Sequence, residues 1–575
     1  MRVTLVVAFL LALAPGCRRQ STERPKARET PKRRAALPTP PREQHLTTAT
    51  IGDPKTFNPL LVVDNASAAA IGDVFDGLLR LNPQTMAMEP MLAERWDRSA
   101  QGTVYTLHLR RDVRWHDGVP FTAADVAFTF DAIFDDRVPN SSRHTLLVDG
   151  QRIRTEVVDD STIRLRTPRP FAPLLNALGL AILPQHILGS ALADGTLAQQ
   201  WGIDTPPRQI IGTGPYRMIR YVPGQVIEYT RNSDYWMKDD AGQALPHLGK
   251  RTLLIVPNQD ILYLKFLAGQ TDTHLPRPQE IADLRARGRQ LQIAVHEIGL
   301  DTGSTFVSFN RNPRHYVHDG KRDPRLTWFT DLHFLRAIAR AIDKRSMIRN
   351  CLNGYGEPAV ADISPANRLF HNPTLSDYPY DLDAARRSLR AGGYLDRDGD
   401  GVIEDRAGNP VEFSLTTNSG NHVREKMCSI LTRDWTKLGM KVNYRPLDFT
   451  ALVEQIDHTF DWDAIVIGFT GTPEPNNGAN LWRSSGNLHL WRPRQPAPAT
   501  PWEAEIDALL DRGSRELDVR RRRRCYWRIQ EIVHEQLAVI EMVRPRRFAA
   551  YKRILRHYQP TVWGLYRPEL IQIGD

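Results

Sequence analysis

Between residues 411 and 468 apolar strands alternate with amphipathic helices, and this alternation limits the possible folds more than any other feature of the chain. Residues 411–417 read as a strand, 423–438 as a helix closed by Gly439, 441–447 as a second strand, 451–456 as a short helix, and 463–468 as a third, almost wholly apolar strand. Strands separated by helices imply βαβ units and a largely parallel sheet. Upstream, Asp331 caps a helix in which Phe334, Leu335, Ile338, Ala341 and Ile342 recur at helical spacing. Open α/β sheets bind ligands beyond the carboxyl ends of their strands. That rule selects Asn418, Ser419, Gly420 and Asn421 after the first strand, and Gly468, Phe469, Thr470 and Gly471 after the third. The first of these loops also precedes a helix N-terminus, where free N–H groups favour an anion. An ordinary capping loop accounts for it equally well, and both readings stay open.

The N-terminal half is richer in strands. Residues 103–110 alternate Tyr105, Leu107 and Leu109 with Thr106, His108 and Arg110, as a half-buried strand does. Residues 123–134 read as a helix, and further strands are expected at 226–229 and 252–256 after the punctuation of Gly212-Thr213-Gly214-Pro215. A domain boundary falls near residue 205. With 575 residues the chain exceeds what one hydrophobic core organises, so at least two domains are expected.

The N-terminus differs from this body. Arg2, the apolar run 3–14, and Pro15-Gly16-Cys17 form a signal peptide with a cleavage site, and a small residue before Cys17 marks that cysteine for lipidation. The following stretch is rich in Arg, Lys, Pro and Thr, the composition of a disordered tether. Residues 18–43 carry nine Lys and Arg against three Glu, six of the net +10, so the folded body is nearly balanced. Nucleic-acid binding is therefore not expected, and contact with membrane runs through the lipid anchor. If Cys17 is lipidated, Cys351, Cys428 and Cys525 remain, permitting one disulfide at most; buried, unpaired thiols are the plainer expectation. The run Arg520 to Arg524 reads as a solvated helix face.

Catalytic and metal signals are weak. Asp396, Asp398 and Asp400 with Gly401 imitate the start of a calcium loop, but position 12 is Ala407, so a polar turn is expected. His116-Asp117 reads as a strand end and turn. No GxSxG, SxxK, HExxH or Walker pattern occurs, which leaves an exported hydrolase, the competing class, without a nucleophile or a metal site. No catalytic residue, metal or cofactor is expected.

Several runs together resemble family 5 of the extracellular solute-binding proteins, the peptide- and nickel-binding proteins of ABC importers. They include Asp53-Pro54 with Asn58-Pro59, Phe75-Asp76-Gly77-Leu78-Leu79, Leu92-Ala93-Glu94-Arg95-Trp96, and the most distinctive run, Val113-Arg114-Trp115-His116-Asp117-Gly118 through Val126. Gly212 to Tyr216, Arg231-Asn232 with Asp234-Tyr235-Trp236, and Gly354-Tyr355-Gly356 follow in order.

The resemblance implies an α/β type II periplasmic-binding-protein fold with two main lobes and an inserted β-rich subdomain. Its division of this chain is 1–16 signal peptide, 17–45 lipidated cysteine and tether, 46–76, 205–300 and 546–575 lobe I, 77–204 the inserted lobe II, and 301–545 lobe III. It implies a monomeric lipoprotein on the periplasmic or extracellular face that passes a small solute, first of all a peptide, to permease subunits. Gly468, Phe469 and Thr470 would pair with a peptide backbone, and Asn65 would oppose them from lobe I. Phe306 and Phe449 would serve as walls, core packing being the other reading of both, and Arg424 as a carboxylate partner, beside Asn418 and Ser419. Peptide binders of the family place an Asp just beyond the Gly-aromatic pair; here Thr470-Gly471-Thr472-Pro473-Glu474-Pro475 stands instead. Glu474 is the substitute at hand. Opines, oligosaccharides and metal chelates stay open as ligands, as does a sensory solute-binding domain.

Overall fold

The computed structural model describes residues 44–140 and 142–574. The expected signal peptide, Cys17 and the tether as far as residue 43 lie outside the described residues. Among the described residues no helix is long and apolar enough to cross a membrane.

The chain enters through β1 (His45–Ile51) and α1 (Asn65–Ile71), whose first turn is capped by Asp64 accepting from the Ser67 N–H at 2.9 Å. An antiparallel sheet is then inserted: β2 (Ala93–Arg98), β3 (Val104–Leu109), β4 (Arg154–Asp159) and β5 (Thr162–Arg166), ordered β2-β3-β5-β4. Its alternating strand β3 buries Tyr105, Leu107 and Leu109. Helix α2 (Ala123–Phe134) starts in a Thr122–Asp125 capping box and packs Val126, Phe130 and Ile133 into the same core. The chain then returns through β6 (Tyr216–Val222), β7 (Val226–Arg231) and β8 (Lys250–Val256), and β8 pairs in parallel with β1.

The second half is organised by β9 (Ile293–Leu300), β10 (Ser304–Phe309), α3 (Leu332–Arg340), β11 (Glu412–Asn418), α4 (His422–Thr436), β12 (Lys441–Leu447), α5 (Phe449–Glu454), β13 (Ala464–Phe469), α6 (Pro501–Arg515), α7 (Val519–Gln536) and the long β14 (Ile540–Lys552). The alternation of strands and helices therefore holds, but the sheet is mixed where a largely parallel one was expected. β11 is parallel to β12 and β13, whereas β10 runs antiparallel to β13 and β14. Only strands joined by crossover helices must run in parallel. β10 and β14 carry the chain into and out of this sheet, so that constraint does not bind them.

Both faces of the sheet are covered, which explains why β13 is an unbroken apolar run. Val466 packs with Phe309, Phe413 and Trp435 on one face, while Ile465 and Ile467 pack with Phe306, Trp491 and Tyr526 on the other.

Two segments join the halves. β14 pairs first with β10 and then with β9, and between those strands residues 301–303 cross beside Arg544 and Pro545, with the Asp301 N–H donating to Pro545 O at 2.8 Å.

Candidate functional site

A cavity of about 250 Å³ opens on the Phe306 face of the C-terminal sheet, next to this two-segment bridge. Phe306 from β10 and Phe469 at the end of β13 form one wall, with ring centroids 5.6 Å apart and planes inclined at 47°. Trp482, Tyr526 and Ile529 extend the apolar lining. Trp563 reaches in from the C-terminal segment beyond β14, its indole N–H donating to Ala366 O at 3.1 Å. Large aromatics with few polar groups make the usual wall of a small-molecule pocket.

Three glycines let the bridge lie directly on the loop that follows β13. A Cβ on Gly303 would stand 2.1 Å from Phe469 O, one on Gly471 2.1 Å from Thr302 O, and one on Gly468 2.5 Å from Ser304 O. Backbone on backbone at these distances leaves no room for a side chain. The Phe469 wall and the bridge are therefore in direct backbone contact.

Beside this wall, at the carboxyl ends of β11 and β13, Arg424 from the first turn of α4 donates to the Asn418 side-chain oxygen at 2.8 Å and reaches Gly468 O at 3.5 Å. Asn421 caps that helix, accepting from the Arg424 N–H at 3.2 Å, and Ser419 N–H donates to Leu447 O at 2.6 Å. Burial lowers the pKa of the Arg424 guanidinium, which contacts a side-chain amide and a main-chain carbonyl here.

Two carboxylates face the apolar wall. Glu541, the second residue of β14, lies in register with Phe306 and accepts the Ser304 hydroxyl hydrogen. Asp362, on the loop after the short strand Gly356–Pro358, lines the same cavity. Desolvation pushes Asp362 up to about 7, and repulsion from Glu541 adds to it; burial also raises Glu541.

The expected site residues thus divide into groups. Phe306, Phe469 and Thr470 line the cavity, while Asn418, Arg424 and Gly468 are joined by hydrogen bonds beside it. Asn65, exposed at the start of α1, and Phe449, 57% exposed at the start of α5, are not among its lining residues. Asp362, Glu541, Tyr526 and Trp563 escape a reading of the sequence because none belongs to a local motif; an isolated tryptophan in a late polar segment was the one available signal for Trp563.

Glu474 cannot serve as a free anchor. It is buried, its side chain caps the turn at Pro475–Gly478 by accepting from the Asn476 N–H, and both its oxygens accept from the Arg522 guanidinium. Arg522 also donates to Gly513 O at 2.8 Å, so one member of the 520–524 run is a buried clamp where a solvated face was expected. His116 is structural: Nε2 donates to Gly214 O at 3.0 Å, Nδ1 accepts from the Gly212 N–H at 3.2 Å, and burial lowers its pKa to about 4. Asp396, Asp398 and Asp400 are joined by Glu404, ligand atoms within 4.8 Å of one another, on an exposed turn remote in sequence from the cavity walls. Cys351, Cys428 and Cys525 are free and buried.

Comparison with known proteins places this geometry in context. The family pattern described as bacterial extracellular solute-binding proteins, family 5 middle, matches residues 87–489, well over half of the chain. A probable ABC transporter-binding protein of Deinococcus radiodurans is 26% identical over 515 residues, covering 85% of each chain. The oligopeptide-binding protein AppA of Bacillus subtilis is 26% identical, covering 83% of this chain and 81% of its own. Among solved structures, NikA of Brucella suis in complex with Fe(III)-EDTA superposes with a TM-score of 0.76 at 23% identity, covering 92% of this chain and 99% of that one.

Proposed function

We propose that this chain, which belongs to family 5 of the bacterial extracellular solute-binding proteins, captures a small peptide at the Phe306–Phe469 cavity and hands it unaltered to an ABC permease. The observation that carries this reading is the aromatic cavity itself. It lies where the C-terminal sheet meets the two-segment bridge, and it is closed from across the bridge by Trp563. Paired strand crossings of this sort are natural hinges, and a ligand touching both sides favours the closed form by its differential contacts. The upper edge of β13 supports a peptide in particular. β11 pairs with β13 only at Leu415 and Thr416, so beyond Ile465 the edge at Gly468 and Phe469 is left to Arg424 and to whatever backbone adds to it. In this reading Arg424 receives a carboxylate, Asn65 meets the ligand on closure, and Cys17 holds the monomeric protein at the outer face of a membrane through lipid.

Small-angle scattering and titration calorimetry test it together. An equimolar tripeptide pool should reduce the radius of gyration of the wild-type protein. Phe469→Ala should weaken binding about tenfold or more, as the loss of a buried aromatic anchor does, while Phe449→Ala should stay within about twofold. Equal losses in the two variants would move the site away from the cavity.

A further inference from the structure

We propose that the inserted β2–β5 sheet carries a clasp for the cavity: its loops grip the end of α6 when the two halves of the chain close on a solute, and release it when the solute leaves. The inference rests on reading the cavity as the solute site, and it adds what holds the closed form together.

Three loops of the inserted sheet meet at this point. Gly102, in the turn between β2 and β3, lies against Leu517, so close that a Cβ there would stand 2.3 Å from the leucine Cδ1. The segment after β5 presents Ala172, whose N–H donates to Ser514 O at 2.8 Å, and Arg169, whose Nη1 donates to Ser514 Oγ at 3.2 Å. Asp149, in the turn before β4, accepts from Arg169 Nε at 2.7 Å and lies 3.9 Å from Arg515. The loops are braced on their own side: the Thr167 N–H donates to Thr103 O at 2.9 Å, and Phe171 and Leu174, flanking Ala172, are buried in the N-terminal core.

What they grip is a helix end, where the last carbonyls lack partners within the helix. In α6 the Arg512 carbonyl is answered by the Glu516 N–H and the Gly513 carbonyl by Arg522, both from the C-terminal half, whereas the Ser514 carbonyl is answered from the inserted sheet by Ala172. Arg169 also brings positive charge to the negative end of the helix dipole. The cavity begins one residue away. A Cβ on Gly513 would meet the Tyr526 ring at 3.1 Å, and both Tyr526 and Leu510, one turn earlier in α6, line the cavity. A grip on Ser514 is therefore a grip on the cavity wall.

Two features make this a reversible contact. It is polar: among the described residues, the apolar cluster that takes in Phe171 includes no residue of 301–545, and neither large C-terminal cluster includes a residue of 77–204. Polar joints between domains separate readily, because water replaces their hydrogen bonds. It also lies outside the bridge. The halves are joined covalently where residues 301–303 cross beside Arg544 and Pro545, and rotation about such crossings separates contacts made elsewhere between the two bodies.

Hydrogen exchange at Ala172 reads the clasp directly. The full chain is placed in deuterated buffer with and without an equimolar tripeptide pool, retained peptide is quantified by mass spectrometry, and exchange is followed in the segment that carries Ala172. With the pool retained, this segment should exchange at least about tenfold more slowly than in solute-free protein, as an amide does when local opening is suppressed. Arg169→Ala should keep the solute-free melting of wild type and release the pool about tenfold faster with association little changed, the split expected of contacts made after encounter. Retention of the pool with Ala172 exchange unaltered overturns the clasp and leaves the cavity reading standing. Retention of nothing, with exchange unaltered, overturns both. Release from Arg169→Ala at the wild-type rate, or a lowered solute-free melting, also overturns the clasp, the second by making Arg169 a structural brace. Because the exchange arm uses wild type alone, it holds even if the variant folds poorly.

Discussion

Asp463 and Glu503 are wrapped in donors, whereas Asp362 and Glu541, in the same half of the molecule, are not. Asp463 accepts from Tyr316, from Arg325, and from both the main-chain N–H and the hydroxyl of Ser414, all within 2.8–3.0 Å. Glu503 accepts from Gln495, Trp491, Thr500 and His489 at 2.9–3.2 Å. Although desolvation pushes the other way, these donors hold both carboxyls down at about 2. At Asp362 and Glu541 the Ile363 N–H, the Ser304 hydroxyl and Arg544 offset the same desolvation only in part, and both rise. Buried carboxyls that brace a fold are therefore distinguishable from buried carboxyls left short of donors by the direction in which their pKa moves.

The contrast is most exposed to disproof at the braced acids. Asp463→Ala would leave the Tyr316 hydroxyl, the Ser414 groups and Nη1 of Arg325 unanswered, while Arg325 keeps Asp323, and unfolding free energy should fall by about 3 kcal/mol or more, read by chemical denaturation. A loss below about 1 kcal/mol would mean that those donors do not organise the sheet.

Acid should act through the same two groups. Their folded pKa values lie below the ordinary carboxylate range, so the stability they confer is fully present above pH ~4.5 and is lost as pH falls toward 2. The loss should be on the order of 2–3 kcal/mol per group. Melting followed from pH 5 to pH 2.5 in wild type and Glu503→Gln should show a smaller decline in the variant.

An effect of the opposite sign belongs to Asp362. Its folded pKa is raised, so stability is greatest below the ordinary value and declines as pH rises through about 7. Asp362→Asn should consequently melt higher than wild type at pH 8 without added solute, and lose most of that advantage by pH 5. A variant less stable than wild type at pH 8 would make Asp362 another brace.

Much of the fold could be read from residue order. β12 spans the expected residues 441–447 and α2 the expected 123–134, because apolar periodicity and a Thr122 cap act locally. β14 could not be read in this way: its middle, Arg544-Pro545-Arg546-Arg547, is polar, and it is extended only because β9, β10 and Gly356–Pro358 pair with it. The site divides similarly. Phe469 and Gly468 follow from their place at a strand end, but Asp362 and Glu541 are 179 positions apart and meet only through the tertiary fold. Arg522 shows the converse, since five consecutive arginines look solvated until Glu474 is seen to clamp one of them.

The central claim is that a solute is held against Phe469 and leaves chemically unchanged. Native mass spectrometry of wild type and Phe469→Ala, each incubated with the tripeptide pool, tests it most directly. The account predicts an adduct on wild type that dissociates as an intact tripeptide and is depleted about tenfold on the variant. Adducts of equal abundance on both proteins, or release of cleaved peptide, would contradict it.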